Sequence, residues 1–137
     1  MVNCEKMYIS NHELKEIKKL FYKRIGQASH GLMYSIGQII GEDIASQLEE
    51  YNFFQKARER LKERGILEDI VFKEEEAEVR GSMEVDDKAN GKTCSILEGI
   101  LVALYENYKG KKLYCEETEC ESKGDNRCIF QIKEEII

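Results

Sequence analysis

Apolar residues recur at helical spacing through the first half of the chain. Leu14, Ile17, Leu20, Phe21 and Ile25 form one amphipathic stripe, and Ser10 with Glu13 ahead of it reads as a capping box. The period continues through Leu32, Met33, Ile36, Ile40, Ile44 and Leu48, across a zone punctuated by Gly26, Gly31, Gly37 and Gly41. Gly37 and Gly41 share a helix face and lower its propensity, so they predict close packing of another backbone. "NFFQKARERLKERG" predicts a third helix, with Asn52 and Gln55 as its capping box and Gly65 as its stop.

The period then changes. "ILEDIVF" predicts a strand, and "EVRGSMEV" a second one with Val79, Gly81, Met83 and Val85 on one face. "KEEEAE" (73–78) reads as a solvated turn and "DDKANGK" as a loop. Ile96, Leu97, Ile100, Leu101, Leu104, Tyr105 and Tyr108 restore the helical stripe, with Ser95 and Glu98 as its cap and Gly110 as its end. "KKLYCEET" and "CIFQI" predict two last strands joined by the Gly124-Asp125-Asn126 turn. The order predicts an α+β domain, with N-terminal helices packed on an antiparallel sheet built from strand-strand-helix-strand-strand. The expected division is one domain over 1–137, helical over about 10–65 and sheet-forming over about 66–135.

Composition narrows the class. With 42% apolar and 35% charged residues, the chain is expected to be an ordinary globular protein. It lacks an apolar run of about 20 residues for spanning a bilayer. "MVNCEKMYIS" lacks a signal-peptide pattern, so a cytoplasmic location is expected. Twenty-one basic against 27 acidic side chains give a net charge of −6, which disfavours direct nucleic-acid binding. The basic run 15–24 reads as a solvated helix face. His30, beside Gly31, reads as a helix-end or loop histidine, with a pocket polar group or haem ligand as alternatives.

Five cysteines cannot all pair within one chain, and a reducing compartment disfavours structural disulfides. Cys4 reads as a bystander near the terminus. Cys120 and Cys128 flank the last hairpin turn, while Cys94 opens the 95–108 helix, where free N–H groups favour a thiolate. Three soft donors plus one more would make a closed tetrahedral zinc site. Spacing leaves the fourth donor open between Cys115 and Glu117. Strand alternation puts both on the face opposite Cys120, so a bulge or strand end between 117 and 120 is required. A thiol redox switch and plain buried cysteines are the competing readings.

"CSILEGILVAL" followed by "YCEETECESKGDNRCIF" resembles the 4-vinyl reductase domain family. The resemblance rests on Cys94, Glu98-Gly99, Glu117-x-x-Cys120, Gly124-Asp125 and Cys128-x-Phe130, over about residues 79–132. "YSIGQIIGEDIA" resembles the glycine-bearing helix that precedes this region in longer members. The resemblance implies a fold shared with haem nitric-oxide-binding domains and acyl-binding vesicle-tethering subunits. It implies a hydrophobic or aromatic small-molecule ligand between the helices and the sheet. It also implies a zinc held by Cys94, Glu117, Cys120 and Cys128, which leaves Cys115 as an apolar filler. The phenol-sensing branch of the family uses a Trp and a His. This chain has no Trp, and His12 and His30 fall elsewhere, so phenol itself is not the expected ligand.

Met33, Ile36 and Ile40 from the helical layer, Met83 and Val85 from their strand, and Leu97 and Leu101 from the late helix are the candidate pocket lining. The bland alternative is that they simply pack against each other. There is no glycine-rich dinucleotide fingerprint and no Cys–His–acid triad, and a fully ligated zinc offers no open position. The resulting expectation is a non-catalytic sensor or binding module, homodimeric through its first half, that signals through this dimer or a separate protein partner. The alternatives are a redox-responsive regulatory subunit and an auxiliary protein of tetrapyrrole or aromatic metabolism.

Overall fold

The computed structural model describes residues 6–86, 88–89 and 91–134. Cys4 lies outside them. Helix α1 spans Asn11–Ile25 and starts as its sequence predicts: Glu13 N–H donates to Ser10 Oγ, and Ser10 N–H donates to the Glu13 carboxylate. None of its residues is buried. Helix α2 spans Ala28–Ser46, and α3 spans Phe53–Glu63. The predicted Asn52–Gln55 box does not form, because Asn52 enters α3 in the left-handed region (φ 61°) without a side-chain cap. Among the described residues, no helix is long and apolar enough to cross a membrane.

Four strands follow: β1 (Asp69–Phe72), β2 (Glu76–Arg80), β3 (Leu113–Glu119) and β4 (Cys128–Glu134). Helix α4 (Ser95–Lys109) separates the two pairs in sequence. The sheet order is β1-β2-β4-β3, antiparallel at each pairing. Part of "KEEEAE" thus belongs to β2, where Ala77 is fully buried opposite Phe130.

The second strand is shorter than alternation predicts. Gly81 takes φ +66°, turning the chain out of the sheet after Arg80. Ala77 and Val79 are therefore its inward residues. Met83 and Val85 do not share a strand face; they lie on the loop that carries the chain back to α4.

Helix α4 is the centre of the molecule. Its residues Ser95–Leu97 and Gly99–Tyr105 are all buried, as befits a helix covered on both sides. The sheet covers one side through β3, and α2 covers the other. The approach to α2 is close enough to need glycine on both helices. A Cβ on Gly37 would collide with the Ile96 carbonyl, and one on Gly99 with the Tyr34 carbonyl. Gly41 likewise sits against the Ile100 carbonyl. The Gly37/Gly41 face is thus occupied within the chain and is not available to a second copy.

Candidate metal centre

The last hairpin and the start of α4 converge at one end of the sheet. β3 pairs regularly with β4 as far as Glu117 opposite Phe130, then shifts register before Glu119. This is the irregularity that alternation required. It lets Glu117 and Cys120 point to one place, although Cys115 and Glu117 remain on the same face. Beyond β3 a single 3₁₀ turn (Glu121–Lys123) and Gly124 (φ +98°) reverse the chain. Asp125 Oδ2 accepts the Cys120 N–H at 2.9 Å, and Asp125 N–H donates to the Cys120 carbonyl at 3.2 Å. The Gly-Asp pair therefore fixes the bend on which Cys120 sits.

Donor atoms of Cys94, Glu117, Cys120 and Cys128 all lie within 4.8 Å of one another. The Cys94–Cys128 sulfur separation is 4.0 Å and the Cys120–Cys128 separation is 3.9 Å. Four donors about 2.3 Å from a central ion at tetrahedral corners stand about 3.8 Å apart. The four residues are 1%, 1%, 0% and 0% exposed, in the same order. Among the described residues, all the cysteines are free thiols.

Glu117 supplies a further test of fit. Its Oε1 accepts the Cys94 N–H at 3.3 Å, while its Oε2 is buried without a hydrogen-bond partner. A buried, unpaired carboxylate oxygen is costly. Facing three sulfurs, it is the atom a cation would satisfy. Burial, reinforced by the Cys120 thiol, pushes this carboxyl up to about 8. Hydrogen bonds from Cys128 and then Cys94 hold the Cys120 thiol well below the ordinary range. Cys94 and Cys128 are raised chiefly because each donates to Cys120. Such a cluster shares its protons until a cation replaces them.

The surrounding polar groups were not legible in sequence. Ser82 Oγ lies 3.3 Å from Cys94 Sγ, and Glu121 N–H donates to Cys128 Sγ at 3.4 Å. Thr93 Oγ1 is 3.8 Å from Cys120 Sγ and 2.6 Å from Ser122 Oγ. Ser95 and Glu98 do not cap α4. Its N-cap is Cys94, and its exposed N–H groups are taken by Glu84, whose oxygens accept from Ile96 at 3.0 Å and Leu97 at 2.8 Å. Lys18 completes that arrangement, donating to Glu84 at 3.0 Å and to the Thr93 carbonyl. Burial raises the Glu84 carboxyl, against Lys18 and the two N–H groups. Glu98 instead accepts the Glu117 N–H at 2.7 Å, and Ser95 Oγ lies 3.2 Å from His30 Nδ1. Only a loop that folds back after Gly81 brings Glu84 here, and no local spacing announces that.

Cys115 is buried in the core, where burial pushes its thiol up, and it is not one of the clustered donors. The candidate pocket residues do not gather at one opening. Leu97 and Leu101 are fully buried, and Ile36, Ile40, Met83 and Val85 are partly buried against the core. Met33 lines a cavity of about 310 Å³ between α1, α2 and the 84–95 loop. Four lysines of the basic run, Lys15, Lys18, Lys19 and Lys23, line this cavity rather than forming only a solvated face.

Residues 75–134 match the family model of the 4-vinyl reductase domain. This span holds β2 to β4, including α4, the four clustered residues and most of the stretch that carries the resemblance. No curated protein matches the sequence. Among solved structures, the phenol-responsive sensory domain of the transcription activator PoxR, determined with phenol, superposes with a TM-score of 0.77 at 15% identity, over 94% of this chain and 76% of that one. A vinyl-4-reductase family protein from Methanocaldococcus jannaschii superposes with a TM-score of 0.72 at 16% identity, over 96% of this chain and 85% of that one. At such identities the likeness is one of fold, and it agrees with the α+β architecture expected from sequence.

Proposed function

We propose that this chain is a non-catalytic binding or sensor module for a hydrophobic small molecule, pinned by a structural zinc on Cys94, Glu117, Cys120 and Cys128. The observation that carries the reading is the orphaned Glu117 Oε2 beside three buried sulfurs at tetrahedral spacing. Three thiolates and a carboxylate favour zinc over hard cations. Zinc would supply four bonds that tie the start of α4 to the last hairpin, and every ligand position would be filled.

The small-molecule half of the reading draws on the phenol-bound sensory domain that shares the fold. It also draws on the position of the cavity. Thr93 and Ser95 line it, and the residue between them is Cys94. The metal would therefore hold one cavity wall in place. Helix α1, with no buried residue, forms the opposite wall and is the element most easily shifted by occupancy.

A homodimer belongs to the same proposal. With the Gly37/Gly41 face filled by α4, the apolar surface left in the first half includes Leu20, Ile25 and Ile39, at 50%, 46% and 70% exposure. Leucine- or isoleucine-to-glutamate changes there would return a dimer to monomer in sedimentation.

Native mass spectrometry of the freshly purified full chain tests the whole reading. The expected species carries one zinc per chain and an organic adduct lost on mild activation. A metal-free chain with no adduct and no saturable binding of aromatic probes would overturn it.

A further inference from the structure

The cavity between α1, the first turn of α2 and the 84–95 loop has a charge opposite to that of the molecule. Five lysines line it, Lys15, Lys18, Lys19, Lys23 and Lys92, against two carboxylates, Glu84 and Asp86. The whole chain carries a net charge of −6.

Both carboxylates are already engaged. Glu84 receives Lys18 and the two N–H groups of α4. Asp86 accepts the Lys88 N–H at 3.1 Å and lies 4.0 Å from Lys15 Nζ. Lys19 pairs with Glu16 at 3.5 Å. Lys23, from α1, and Lys92, from the loop, reach the cavity with no ion pair or hydrogen bond to a described residue. Behind this cationic rim the wall is apolar, through Leu14, Tyr22 and Met33, with Ser29, His30 and Ser95 as polar points. An apolar hollow with a few convergent polar groups is the ordinary character of a small-molecule site. A cationic mouth adds attraction for negative charge.

We infer that this cavity is the ligand site and that its ligand is a small organic anion. It would have an aromatic or short aliphatic body against Leu14, Tyr22 and Met33, and a carboxylate or similar head toward Lys23 and Lys92. This rests on the small-molecule reading above and narrows it to one site and one ligand class. The volume of about 310 Å³ suits a one- or two-ring body. A bound anion would also tie α1 to the loop that carries Cys94, because its two cations come from opposite walls.

The test is calorimetric titration of the full chain as purified with 2-naphthoate and 2-naphthol, which differ only in the head group. At pH 7 one is an anion and the other is neutral. The expected result is about tenfold or greater preference for the naphthoate, from charge-assisted hydrogen bonds, weakening as salt rises. Lys23→Gln combined with Lys92→Gln should erase that preference. Leu14→Trp should block the cavity and abolish both titrations. Equal or tighter naphthol binding would overturn the anion inference while leaving the small-molecule reading intact. Naphthoate binding indifferent to all three changes would overturn the site. No binding of either compound to a chain with native circular dichroism would overturn both readings.

Discussion

Glu117 gives one carboxylate oxygen to the backbone N–H of Cys94 and leaves the other buried without a partner. One residue at the end of β3 is thereby both a brace for the start of α4 and an available metal donor. The two roles are separable. Glu117→Gln retains an acceptor for the Cys94 N–H but removes the anionic donor. Changes just outside a metal's ligand set commonly weaken affinity 10- to 100-fold, so loss of a ligand itself should exceed about 100-fold. Chelator competition on Glu117→Gln measures this. Cys115→Ser, away from the cluster, should leave zinc affinity within about twofold of the parent.

Gly37 and Ile96 set the distance between α2 and α4. A methyl group on Gly37 meets a backbone carbonyl, which cannot swing aside as a side chain would. Gly37→Ala should therefore destabilise the fold by about 3 kcal/mol or more, at the upper end of overpacking effects. Gly31→Ala, where nothing lies near, is the control and should be neutral or stabilising. Urea denaturation of the two variants separates the outcomes.

Glu84 caps α4 from a distance and receives Lys18. Its side chain is 0% exposed, and that of Lys18 is 23% exposed. Glu84→Ala removes two helix-terminal hydrogen bonds and leaves Lys18 without its carboxylate. The expected loss is about 2–4 kcal/mol, with Glu84→Gln losing less because it keeps an acceptor. Thermal unfolding of the metal-loaded chain reads the difference.

Helix α1 should be the first element to respond to acid. Its capping carboxylate, Glu13, is held below the ordinary glutamate range by the Ser10 backbone N–H and then the Ser10 hydroxyl. A depressed carboxyl stabilises the folded form above its ordinary range and loses that contribution as pH falls through its folded value. With no buried residue in α1, little else replaces the cap. Amide protection in α1 should fall on acidification before that in α4, and Glu13→Gln should remove the pH dependence. Equal protection losses in both helices would contradict this.

The parts of the structure that are readable from sequence are those set by local chemistry. The Ser10–Glu13 box, the apolar stripe of α4 and the irregularity between Glu117 and Cys120 follow from spacing over a few residues. The choice of Glu117 over Cys115 rests on family resemblance, because both occupy one face of β3. Alternation misplaces Met83 and Val85 because a positive φ at Gly81 ends β2 after Arg80. Helical spacing does not tell whether the face bearing Lys15, Lys18, Lys19 and Lys23 meets water or a cavity. The 84–95 loop, distant in sequence, decides it.

X-ray absorption at the zinc edge on the wild-type chain, purified under reducing conditions, tests the metal centre most directly. The four-residue site predicts one zinc per chain, with three sulfur neighbours at about 2.3 Å and one oxygen neighbour at about 2.0–2.2 Å. Four sulfur neighbours would put Cys115 in place of Glu117. A chain with no stoichiometric metal, or with a metal retained in full after Cys120→Ser and Cys128→Ser, would contradict the centre altogether.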